Sequence, residues 1–164
     1  MKKTYLIGTI FLIATICSCE TSKENYIKGV DPYLLSAGFK KFGFTTSTNT
    51  SEEYGNLWII QGNDLYTSYN LSLYSSNNSE IQSIRASAIL TDPDGKIDYS
   101  FFHEIAMQTK EECDPNIVSK WLSIHYNNPG DTIINNVSFS VTEPSNLSKM
   151  LTIQKVSSES TDNI

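Results

Sequence analysis

From Leu65 to Tyr74 the chain alternates so strictly that only one backbone geometry satisfies it. Leu65, Thr67, Tyr69, Leu71 and Leu73 fall on one side, and Tyr66, Ser68, Asn70, Ser72 and Tyr74 on the other. A period of two is the signature of a strand with one face in a core and one in water. Gly62-Asn63-Asp64 before the run and Ser75-Ser76-Asn77-Asn78-Ser79 after it are turn-forming clusters, so the strand is held in hairpins. The next run repeats the pattern, with Ile84, Ala86, Ala88 and Leu90 inward and Arg85 outward.

The period then changes. Asp92-Pro93-Asp94-Gly95 forms a turn, because proline presets one backbone angle and glycine accepts the left-handed one. Beyond it Ile97, Phe101, Phe102, Ile105 and Ala106 recur at helical spacing. A second helix opens at Asp114-Pro115, a cap followed by a residue suited to the first turn, and places Ile117, Val118, Trp121, Leu122 and His125 on one side. Asn127-Asn128-Pro129-Gly130 ends it.

The flanking segments complete the pattern. Asp31-Pro32 starts a short helix reaching about Lys40, Phe42 to Ser47 reads as a strand, and Glu52 to Asn56 turns into Leu57-Trp58-Ile59-Ile60, a run expected to be buried on both faces. Later, Ile133, Asn135, Val137, Phe139 and Val141 alternate as one strand, and Met150 to Val156 forms the last. The expectation is an α+β fold: a mainly antiparallel, twisted sheet of five or six strands, two amphipathic helices on one face and a short N-terminal helix. At 164 residues the chain has room for one such core. Residues 30–156 are assigned to it, with 157–164 a polar tail.

Residues 1–18 read differently. A basic Met1-Lys2-Lys3 leads an apolar run from Tyr5 to Ile16, shorter than the roughly 20 residues a spanning helix needs. Ile16-Cys17-Ser18-Cys19 then sets a branched aliphatic three residues before, and a small residue just before, Cys19. In this the chain resembles bacterial lipoproteins. The resemblance implies a signal peptide cut after Ser18, a lipid on the Cys19 thiol, and residues 19–29 as a tether, with Glu20 in the following position favouring the outer membrane. Several acyl chains on one residue exceed what stable anchoring requires. Cys17 departs from the usual small residue at its position. Tyr54-Gly55-Asn56-Leu57-Trp58, Lys120-Trp121-Leu122 and Leu151 to Lys155 further resemble small, uncharacterised bacterial envelope proteins of α+β type, a likeness that implies a fold and no activity.

Charge narrows the partners. The chain has 12 basic and 18 acidic residues, and loss of Lys2 and Lys3 with the leader changes the net charge from −6 to −8. A nucleic-acid partner would need clustered cations, and only short pairs such as Lys40-Lys41 occur. The membrane is therefore expected as a partner through lipid alone, with a protein or glycan as the further partner.

Catalytic and metal chemistry find little purchase. After the leader is removed and Cys19 acylated, Cys113 is the remaining thiol, flanked by Glu111, Glu112 and Asp114, with His103 and His125 the only histidines. Neighbouring negative charge raises a thiol pKa and opposes nucleophilic use. The acidic pairs Glu52-Glu53, Glu111-Glu112 and Asp92/Asp94 sit in predicted turns, where solvation keeps carboxylates ordinary. No metal site and no cofactor are expected. Asp131-Thr132-Ile133 resembles a short O-glycosylation motif of some Gram-negative bacteria.

The binding expectation falls on Tyr66, Tyr74 and Arg85, a polar strand face with aromatic ends and one cation. The function read from the sequence is a membrane-anchored envelope module that binds or supports. The alternatives are a small hydrolase using Cys113 or a carboxylate, and an inhibitor or immunity-type protein.

Overall fold

The computed structural model describes residues 25–51, 55–77 and 79–156. Helix α1 (Pro32–Lys40) precedes four strands, β1 (Thr45–Ser51), β2 (Gly55–Asn63), β3 (Thr67–Ser75) and β4 (Ile81–Leu90). Helix α2 (Tyr99–Ala106), a 3-10 turn at Met107–Thr109 and helix α3 (Pro115–His125) follow. The chain closes with β5 (Gly130–Ile134), β6 (Val137–Ser145) and β7 (Ser148–Lys155). The strands form one sheet in the order β1-β2-β3-β4-β7-β6-β5, with every neighbouring pair antiparallel. Two meanders are thus joined where β4 meets β7.

The fold is α+β with seven strands rather than five or six. The added strand comes from Asn135 and Asn136, which both adopt positive φ, 48° and 62°. That is the two-residue hairpin turn whose twist matches the strands, and asparagine tolerates it. The run expected as one strand from Ile133 to Val141 is therefore two, and Ile133 and Val137 lie on opposite faces because Ile133 pairs with Ser138.

Register explains the core. Trp58 and Ile60 on β2 stand beside Leu73 and Leu71 on β3, which stand beside Ile84 and Ala86 on β4, then Ile153 and Leu151 on β7, then Phe139 and Val141 on β6. All ten are buried. The three helices cover this face, as ring contacts show: Tyr33 on α1 meets Trp58, Phe101 on α2 meets Tyr69, and Trp121 on α3 meets Phe139.

The helix starts follow the sequence. Asp31 accepts hydrogen bonds from the Tyr33 and Leu34 amides, Asp98 from Ser100 and Asp114 from Asn116, satisfying amides that the first helical turn leaves without partners. Each costs about 1 kcal/mol to remove. Gly55, at φ +71°, opens β2 against the Ser75 carbonyl, where a Cβ would collide with backbone.

Several expectations are corrected. Leu57 and Ile59 are half-buried on the face opposite Trp58 and Ile60, so β2 has one core face rather than two. Ile117 is exposed, because only Val118, Trp121 and Leu122 of α3 turn inward. Strand β1 begins at Thr45, and Phe42 projects into solvent from the preceding turn. Leu65 and Tyr66 form the tip of the β2–β3 hairpin ahead of β3, and Leu65 is exposed rather than inward. Packing starts before residue 30: Ile27 is buried and its amide donates to the Ile81 carbonyl at 2.8 Å. The Glu52–Asn56 turn lies partly, and the leader and polar tail lie wholly, outside the described residues.

Candidate functional site

Because the helices share one face, no described helix covers the opposite face of the sheet, called here the open face. Its centre is a lateral row in which Ile59, Ser72, Arg85, Thr152 and Ser140 follow one another across β2, β3, β4, β7 and β6. The adjoining row runs Leu57, Tyr74, Ser83, Gln154 and Ser138. Arg85 is exposed, and among the described residues it has no hydrogen-bond, ion-pair or ring partner. Its cross-strand neighbours, Ser72 and Thr152, are uncharged.

The three expected site residues divide. Tyr74 pairs with Ser83 while Arg85 pairs with Ser72, so tyrosine and arginine are diagonal neighbours on the open face, about 7–8 Å apart at Cα. Tyr66 lies eight residues before Tyr74, roughly 26 Å away at the strand rise. There its amide donates to Asp64 at 2.8 Å and its carbonyl accepts from the Thr91 amide at 2.7 Å. Tyr66 belongs to the far end of the domain and to the packing of the Asp92–Gly95 turn, where Asp92 accepts from the Asp94 and Gly95 amides. Cys19 lies outside the described residues.

A cavity of about 420 Å³ adjoins the Tyr74 end of this face, lined by Asn25, Ser138, Gln154, Lys155 and Val156. Ser138 and Gln154 belong to the row of Tyr74, and Asn25 is where the described chain begins. The Glu112 carboxylate holds Lys155 in an ion pair and accepts the Lys28 amide at 3.1 Å.

The nucleophile and metal candidates are placed apart. Cys113 is 2% exposed and its Sγ donates to the Ile134 carbonyl at 3.3 Å. Burial pushes the thiol pKa up, opposed by the Thr109 side chain, and the flanking carboxylates invoked from sequence are not among the causes. His103 Nε2 sits 3.2 Å from Ser119 Oγ, and His125 Nδ1 3.0 Å from the Asn128 carbonyl. No histidine contacts the thiol among the described residues. His125 tilts against Trp121 at the rim of the core. Among the described residues no group of three or more His, Cys, Asp or Glu side chains is placed to hold a metal ion, and no helix is long and apolar enough to cross a membrane. Thr132 pairs with Phe139 on the helix side of β5 and is half-buried.

One polar group was missed. Lys149 stands opposite Ala88 on the core face and is buried. Its Nζ donates to the Glu143 carboxylate and the Tyr126 carbonyl, and lies 4.4 Å from the centre of the Tyr126 ring. The signal was present in sequence, since Lys149 shares the parity of Leu151 and Ile153. Tyr126, which donates to the Ile97 carbonyl at 2.6 Å, has its pKa pushed up to about 12, chiefly by burial.

Comparison with protein families, with curated proteins and with solved structures finds no match for this chain.

Proposed function

We propose that this chain is a lipid-anchored module of the bacterial cell envelope, held in the outer membrane through Cys19, that binds a protein or glycan on the open face of its sheet. The observation that carries the binding half is the exposed Arg85 guanidinium, which has no partner among the described residues and stands between hydroxyls in a row that also holds Ile59, with Tyr74 diagonal to it along the hairpin. An exposed arginine next to an aromatic ring offers fork-shaped donors and contact area at low entropic cost. The anchor half rests on Ile16, Ser18 and Cys19 and on their likeness to a lipoprotein signal. An inhibitor of another envelope enzyme is one form of this reading. Against the Cys113 form of the hydrolase alternative stand the burial of that thiol and its raised pKa.

Two experiments test the two halves separately. Cys19→Ala should move the chain out of the membrane fraction, and retention there would end the anchor reading. Full chain carrying Arg85→Gln should lose the partner that wild-type chain retains in a cross-linked envelope extract. An unchanged partner profile in Arg85→Gln and Tyr74→Ala would remove the open face from consideration.

A further inference from the structure

The two edges of the sheet are built differently. Strand β5 is five residues long, follows Pro129 and carries Asp131, devices by which edge strands avoid pairing with other chains. Strand β1 has none of them. Its seven residues, Thr-Thr-Ser-Thr-Asn-Thr-Ser, contain no charge and no proline, and they run against β2 without a register shift. The side chains from Thr45 to Thr50 are all exposed, and the outer backbone groups meet no strand among the described residues. Threonine is also among the better strand formers. Helix α1 packs on β1 and β2 and leaves Leu34 72% and Tyr33 59% exposed.

We infer that β1 pairs with β1 of a second copy, antiparallel about a twofold axis through Thr48, so that two sheets become one. The sequence is self-complementary in that register. Thr46 faces Thr50, Ser47 faces Asn49, and Thr48 faces its own copy. Thr48 lies beside Trp58 and Thr46 beside Ile60, so the helix-side row of the new strand pair is threonine throughout. Cross-strand threonine pairs are favourable, and like charges directly opposite are not. Although each chain carries a net charge of −6, or −8 without its leader, the paired edge brings no charge against its own kind, which suits a second copy. The axis runs perpendicular to the sheet, so both α1 helices stay on one side of the joined sheets. An isologous contact of this kind closes at two copies, because each β1 has only one free edge.

Variants of the lipidated chain carrying one added cysteine test the pairing in the membrane, since Cys113 is buried and, on the lipoprotein reading on which this test rests, Cys17 leaves with the leader and the Cys19 thiol is acylated. With a short bis-maleimide, Thr48→Cys should give a cross-linked dimer of this chain, and Ile133→Cys on the opposite edge should not. In sedimentation of the full chain in detergent, Thr48→Lys should raise the dimer dissociation constant at least tenfold with an unchanged circular dichroism spectrum. Three results would overturn the inference: no Thr48→Cys dimer, a cross-link to a different protein, or a folded Thr48→Lys variant that dimerises as wild type does.

Discussion

Replacing Glu143 with glutamine takes the carboxylate away from an ammonium that β7 carries on its core face. Lys149 is 7% exposed, while the Glu143 side chain, at 40%, reaches water. Breaking a fully buried pair by removing one partner costs about 3–5 kcal/mol, because an uncompensated charge is left inside. Here the cost is smaller for two reasons. Water screens the exposed side of the carboxylate, moving the pair toward the ~1 kcal/mol of surface pairs. The Tyr126 carbonyl and ring also remain to hold the ammonium. Glu143→Gln is therefore expected to destabilise by about 2 kcal/mol.

Lys149→Met acts in the opposite sense. It keeps the packed stem, removes the charge that had to be desolvated, and leaves Glu143 free to turn to solvent. The loss is one donor to the Tyr126 carbonyl, about 1 kcal/mol, partly offset by the relieved desolvation. Urea unfolding followed by circular dichroism separates the two variants. With a slope of roughly 2 kcal/mol per molar, the midpoint should fall by about 1 M for Glu143→Gln and by less than half as much for Lys149→Met. The double variant should resemble Lys149→Met alone. If Lys149→Met proved the more damaging of the two, the ion pair would be a net source of stability and the reasoning would fail.

Other expectations follow from the same structure. Asn136→Gly should be neutral or stabilising, whereas Asn136→Val should cost about 1–2 kcal/mol through strain at positive φ, readable as a shift in thermal midpoint. Removing the α3 cap by Asp114→Ala should cost about 1 kcal/mol and accelerate amide exchange in the first turn of that helix. Tyr126 has a folded pKa of about 12 against about 10 unfolded, so the folded state keeps the proton longer. Its contribution is complete below about pH 10 and is lost as pH rises toward 12. Urea midpoints measured across that window should fall with pH, and fall less steeply in Tyr126→Phe.

Local features of the fold were legible because local chemistry determines them. Asp31-Pro32 and Asp114-Pro115 start helices for reasons contained in two residues, and the alternation from Thr67 to Leu73 states its own period. Asn135-Asn136 escaped notice because the apolar alternation from Ile133 to Val141 continues across the turn as though nothing had happened. Leu57 and Ile59 looked like core because a residue's hydrophobicity does not say which sheet face the helices will cover. The candidate site was half visible. Arg85 and Tyr74 share a face by parity within a hairpin, but Thr152 and Ser140, which stand in the Arg85 row, arrive through the β4–β7 and β6–β7 pairings. No spacing in the sequence encodes those long-range registers. Lys149 was overlooked because a lysine in a strand is usually outside, although its parity placed it inside.

The join between β4 and β7 has a consequence for how the molecule comes into being. The first meander ends at Leu90 and β7 begins at Ser148, so the strand that unites the sheet is synthesised after the other six described strands. Until it arrives, β4 lacks its outer neighbour and the β5–β6 hairpin has nothing to attach to. Contacts this distant in sequence slow folding, since the intervening chain must be ordered before they repay it. A polypeptide of this topology cannot complete its sheet until β7 is available. The same ordering makes truncation unforgiving: ending the chain before Ser148 would leave two long unpaired edges, and such a fragment should aggregate rather than survive as a smaller domain.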